Sequence, residues 1–150
     1  MDSFKINIKR NLILVFVMGA LYMVLEGLWR GWTNIAMLPV GGLCGFLIGK
    51  MNEWFPQQPL WIKCLSGTGL ILIIEFLSGM LLNVYFQLGI WDYAGMWGNI
   101  YGQICFSYAI LWFILVPSVI YVYNYLKYFI FQDERPELFW DNYRKLFLGR

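Results

Sequence analysis

The sequence predicts an all-α polytopic membrane protein, a four-helix transmembrane bundle with a C-terminal amphipathic interfacial helix. Three observations predict it. Of 150 residues, 60% are hydrophobic and 13% charged, against about 25% charged in a soluble domain. Apolar stretches recur at about 11–29, 34–50, 61–86 and 100–126, each close to the ~20 residues a spanning helix needs. Lys and Arg gather in the segments that such spans would leave on one side.

The first stretch follows Lys5, Lys9 and Arg10, as a secretory signal would. It is longer than a signal's apolar core and no small-residue cleavage motif follows, so a retained span is expected. The second is the shortest: Ile35 to Gly49 would cover only ~22 Å as a helix. It begins nearer Trp32, or the membrane thins around it. Pro39 is placed to break or kink its outer end. Gly41, Gly45 and Gly49 recur every fourth residue, a ridge on which another helix could approach closely. The run Gly45 to Met51 lacks the spacing and the Ser/Thr of a phosphate-binding loop, so ATP hydrolysis by that route is excluded.

In the third stretch, Cys64, Thr68, Glu75, Gly79 and Asn83 share one helical face, expected to point into protein. The fourth carries Pro117, another possible kink whose freed carbonyl neighbouring helices could satisfy. Beyond it, Asp133 and Pro136 have the character of a helix start. Phe139, Tyr143, Leu146 and Phe147 follow at helical spacing, with Arg144, Lys145 and Arg150 available to anionic lipid. This predicts a helix on the cytoplasmic face, an anchor or a partner-docking element. The chain thus divides into a transmembrane domain, 1–130, and a cytoplasmic amphipathic tail, 131–150.

Orientation follows from Lys and Arg. Lys5, Lys9, Arg10, Lys50, Lys63, Lys127, Arg135, Arg144, Lys145 and Arg150 fall on one side, and Arg30 alone of the 11 on the other. A multi-pass protein of the cell membrane with both ends cytoplasmic is expected.

Ionisable residues inside a span are costly and mark candidate sites. Glu26 and Glu75 lie ~24 Å and ~18 Å from the cytoplasmic side at the helical rise. Arg30, one turn after Glu26, can pair with it, either fixing the register of the bundle or serving a ligand. Glu75 has no basic neighbour in its own span, so it needs a partner elsewhere or a raised pKa. Trp91, Asp92, Tyr93, Asn99 and Gln103 belong to the third loop and the start of the fourth span, above the two glutamates. With Asn83 they would form a polar, aromatic-rimmed cavity opening outward.

Composition excludes other chemistry. There is no histidine, which removes the commonest metal ligand and general base, so neither a metal nor another cofactor is expected, and the chain is not read as an enzyme. Cys44, Cys64 and Cys105 are an odd set inside or beside apolar runs, read as packed free thiols rather than a disulfide framework. A net charge of +2, carried by scattered residues, does not suggest nucleic acid. The two halves echo one another through Gly41-Gly-Leu-Cys44 and Gly102-Gln-Ile-Cys105, as in transporters built from parallel repeats.

The chain also resembles a known group, the CmpB-like family of small integral membrane proteins described as type IV ABC-transporter permeases. The likeness runs over about residues 20–115 and rests on Arg30-Gly31, on Pro39 with Gly41-Gly42, and on Glu75-Phe-Leu-Ser-Gly79. It continues through Trp91-Asp92-Tyr93, then Asn99-x-x-Gly102-x-Ile104-Cys105, with Trp112 downstream. The resemblance implies a permease subunit with an ATPase partner. This chain departs from the family pattern by Asn83 in place of an acid and Gln103 in place of an arginine. If those charges act as a pair, here both are neutralised.

The leading expectation is a transport-related membrane component in which Glu75, with Glu26 and Asp92, binds a cation, a proton or a cationic small molecule. Four short spans enclose little room, so association with membrane lipid and with further copies or other membrane subunits is expected. The alternative is a non-transporting assembly or regulatory subunit whose buried acids hold the helix bundle together.

Overall fold

The computed structural model describes the backbone of residues 2–148. It contains five α-helices: α1 (Asp2–Arg30), α2 (Met37–Trp54), α3 (Leu60–Gly79), α4 (Phe106–Phe131) and α5 (Phe139–Leu148). α3 runs directly into a π-helical turn, Met80–Tyr85. Arg150 and the side chain of Lys5, both used above for orientation, lie outside the described residues.

Among the described residues, three helices are long and apolar enough to cross a membrane: Asn7–Arg30 of α1, Leu60–Tyr85 and Phe106–Phe131. The last two would each extend ~39 Å, more than a hydrocarbon core. α2, expected as the second span, is not among them. Its 18 residues include four glycines and, near the end, Lys50, Asn52 and Glu53. Its surroundings account for that composition. α2 packs against α1, α3 and α4, and a helix walled by protein needs less apolar surface than one facing lipid. Elsewhere, large apolar side chains such as Leu12, Phe16, Leu28, Leu77 and Phe129 point outward.

α1 and α2 run antiparallel and meet at two glycines the sequence pattern did not single out. A methyl group on Gly19 would lie 2.1 Å from the Leu38 carbonyl oxygen, and one on Gly42 2.2 Å from that of Val15. Gly41, Gly45 and Gly49, expected as a helix-packing ridge, lie against side chains of neighbouring helices: the Tyr22 ring, the Met18 methyl and the Tyr123 ring. Between α2, α3 and α4 the core is Ile48, Cys64, Ile71, Val116 and Ile120.

Four boundaries and motifs differ from expectation, each for a local reason. α4 starts at Phe106 rather than near 100, because Tyr101 and Gly102 have φ of 51° and 68° and Ile100 bridges to Ile104. α5 starts at Phe139, since the carboxylate of Asp133 is taken by Arg10 and Lys127 rather than capping a helix. Pro39 lies in the first turn of α2, where a missing N–H interrupts nothing. Of the paired Gly-x-x-Cys motifs, Cys44 is within a helix while Cys105 is extended ahead of one.

α5 is seated on the bundle. Phe139 meets Tyr121 edge to face with centroids 5.3 Å apart, and the Tyr143 and Ser118 hydroxyls are 2.5 Å apart. Phe147 is 75% exposed.

The two ends of the bundle differ in charge. Arg10, Lys50, Lys63 and Lys127 gather at one, with Glu53 and Asp133. Arg30 lies at the other, beneath the loop 86–105.

Candidate functional site

At the Arg30 end, the helical spacing of Glu26 and Arg30 brings Oε1 and Nη1 to 2.8 Å. Thr33, from the turn after α1, donates to the second oxygen of Glu26 at 2.5 Å. The Arg30 guanidinium also reaches the Ile90 carbonyl and covers the Trp32 ring at 4.6 Å. Glu26, 7% exposed, has both oxygens occupied.

The π turn carries Asn83 to the same layer. Its Oδ1 accepts from the Ile90 N–H at 2.7 Å, and its Nδ2 donates to the Trp91 carbonyl and to Gln103 Oε1 at 3.0 and 2.9 Å. The Trp91 indole N–H donates to the Gln103 carbonyl. Ile90 therefore joins the Glu26–Arg30 pair to the Asn83–Gln103 pair through the N–H and C=O of one residue. Asp92 and Asn99 do different work. Asp92 accepts from the Ala94 N–H, while Asn99 donates to the Ala94 and Met96 carbonyls and accepts from the Gly102 N–H. They shape the loop.

Glu75 stands apart. It is 9% exposed, on the α3 face that also buries Cys64, Thr68 and Gly79. The Tyr93 hydroxyl donates to Oε1 at 3.1 Å, and the Trp112 indole N–H to Oε2 at 3.3 Å. Tyr93 stacks on Tyr108 at 4.7 Å, and Trp112 lies between Tyr108 and Tyr22, at 6.3 and 6.4 Å. Gly41 leaves the room that the Tyr22 ring fills. Among the described residues, Glu75 has no Lys or Arg partner. A carboxylate held only by neutral donors is the kind of group that a cation or a proton would complete.

The nine residues selected from sequence thus fall into three groups: Glu26, Arg30, Asn83, Trp91 and Gln103 in one lattice, Glu75 with Tyr93, and Asp92 with Asn99 in the loop. Sequence reasoning missed Thr33, Tyr22 and Tyr108, and gave Trp112 no part in the site. Trp112 could have been found as an indole N–H in an apolar helix, a donor that needs an acceptor.

A profile of the family described as "Putative ABC-transporter type IV" matches residues 12–139. The chain belongs to this family. The match extends on both sides of the region where the resemblance was seen, and with the three apolar helices it makes the chain a membrane transport-related component. No curated protein and no solved structure matches it. In this family member, Asn83 and Gln103 are direct hydrogen-bond partners.

Proposed function

We propose that this type IV ABC-transporter family member is a permease-like subunit whose Glu75 binds a cation, a proton or a cationic small molecule reached from the outer side. The observation that carries the reading is the buried Glu75 carboxylate with Tyr93 and Trp112 as its only donors among the described residues. An incoming cation would supply the missing charge, and the neighbouring Tyr and Trp rings suit an alkylammonium through cation–π attraction. Asp92 and Asn99 would order the loop above.

In this reading α2 is a fourth span, ~27 Å long and shielded by its neighbours, so that both chain ends are cytoplasmic. The basic end would then face a cytoplasmic ATPase, the partner that the family name suggests, and further copies or other subunits would complete a pathway that one small bundle cannot enclose. The test is Glu75→Gln in reconstituted membranes. Uptake or ligand binding should be abolished while the variant still folds; unchanged transport and binding would defeat the proposal.

The lattice from Thr33 to Gln103 favours a second reading, a non-transporting assembly or regulatory subunit, because its acid and its amides are spent within the chain. There, Glu75→Gln would lower stability in detergent or alter the oligomer, and pull-downs would return a consistent membrane partner. Neither reading assigns catalysis to the chain.

A further inference from the structure

A groove of about 440 Å³ opens at the basic end of the bundle, between the start of α3, the flank of α4 and the segment leading into α5. Gln58, Trp61, Lys63, Asn124, Glu137 and Lys145 are among its walls. Lys63 is 9% exposed and bonds only neutral acceptors, Asn52 Oδ1 at 2.9 Å and the Pro56 carbonyl at 3.1 Å. An ammonium has three donors, so one remains for a ligand. Lys145 pairs with Glu137 and those charges cancel. Among the described residues, Lys63 is then the uncompensated charge of the groove.

The first turn of α3 lines the same space and has no side-chain cap. The Ile62 and Lys63 N–H groups bond the Pro59 carbonyl, and the positive end of the helix dipole lies at the groove. Trp61 stands beside it, 54% exposed, as an aromatic residue does at a membrane–water boundary. α3 and α4, both long and apolar enough to cross a membrane, contribute to its walls.

We propose that this groove binds a phosphate ester, supplied by the headgroup of an acidic phospholipid in the adjoining leaflet. A buried positive charge, a helix N-terminus and a boundary aromatic are elements of an anionic-headgroup pocket between membrane helices. The phosphate would take the third Lys63 donor, with Asn124 and Gln58 as further polar contacts. The proposal does not depend on any transport role for Glu75.

The test is native mass spectrometry of the full-length protein in detergent, titrated with phosphatidylglycerol or phosphatidylcholine, with and without inorganic phosphate. Phosphatidylglycerol should bind in preference. Lys63→Met should weaken it about tenfold or more, the scale of one lost charged hydrogen bond, and Lys63→Arg should retain it. Because Lys63 also holds Asn52 and Pro56, Gln58→Glu provides a second variant: a negative charge at the groove wall should weaken the acidic lipid and leave phosphatidylcholine unaffected. Equal binding of the two lipids, or full phosphatidylglycerol binding by both Lys63→Met and Gln58→Glu, would overturn the proposal. Binding of inorganic phosphate with no lipid preference would assign the site to a soluble phosphate ester and overturn the lipid source.

Discussion

The Asn83 side-chain nitrogen lies 2.9 Å from Gln103 Oε1, joining the two positions where the family resemblance implies an acid and an arginine. An amide pair does here, without charge, what an ion pair would do in relatives with that pattern. The exchange can be reversed. Asn83→Asp alone keeps the acceptor for Ile90 but turns a carboxylate toward the Trp91 carbonyl and Gln103 Oε1, both acceptors. It should destabilise the fold by ~2–4 kcal/mol. Gln103→Arg alone buries an unpaired guanidinium at a site 5% exposed and should cost a similar amount. The double variant should recover most of the loss, with a coupling energy of ~1–3 kcal/mol in a denaturation cycle in detergent. Strictly additive losses would contradict the pairing.

Tyr93→Phe and Trp112→Phe each remove one donor from Glu75. Each leaves the carboxylate less well satisfied and should tighten cation binding at Glu75 by ~1–2 kcal/mol, the worth of a hydrogen bond to a charged group. Tyr93→Phe keeps the stack on Tyr108, so it should cost less stability than Trp112→Phe, whose ring also contacts Tyr22. Titration calorimetry or a pH profile of uptake checks the first expectation, and melting in detergent the second.

Much of this was legible in the sequence because it depends on local pattern. Hydropathy located α1, α3 and α4, and four-residue spacing paired Glu26 with Arg30. The start of α4 was not legible, since Tyr101 takes a left-handed conformation usual for glycine and apolar Ile100 and Ile104 looked helical. Trp112 was missed as a partner of Glu75 for another reason. Their contact, 37 residues apart in sequence, depends on the register of α3 against α4, which a single-chain pattern does not encode. Lys63 was counted only as a charge for orientation, though it is a buried group with specific acceptors.

Helix packing offers a graded test. Gly42→Ala would push a methyl to 2.2 Å from a backbone oxygen, so α1 and α2 must separate. A loss of ~2–3 kcal/mol or more is expected, the cost of overpacking against atoms that cannot yield. At Gly45 the methyl meets the end of the flexible Met18 side chain at 2.5 Å, so Gly45→Ala should cost less, ~1 kcal/mol. Gly69→Ala meets nothing within 4 Å and should be neutral or slightly stabilising through helix propensity. Thermal melting of the three variants in one detergent decides the order; equal losses at 42 and 45 would refute the packing described.

At the basic end, Glu53 accepts from Lys127 and Tyr123 through one oxygen and from Lys50 through the other, at 2.5, 3.1 and 2.8 Å. Asp133 takes Arg10 at 2.8 Å and Lys127 at 3.4 Å. The cluster ties α1, α2 and α4 to the segment after α4. Burial raises the pKa of both carboxyls, but Lys127 and Lys50 outweigh it at Glu53, and Arg10 and Lys127 at Asp133. Both are left below their ordinary values of 4.5 and 3.8. A carboxyl depressed by folding contributes stability that is complete above its unfolded pKa and lost as the pH falls through the folded one. The protein should therefore hold its melting temperature from neutral pH to about 5 and lose it progressively below 4.5, the upper of those ordinary values. Glu53→Gln should lower stability at pH 7 by ~1–2 kcal/mol, between the worth of exposed and buried ion pairs. It should also flatten the acid limb of the curve. An unchanged acid limb in Glu53→Gln and Asp133→Asn would mean that these carboxylates do not hold the basic end together.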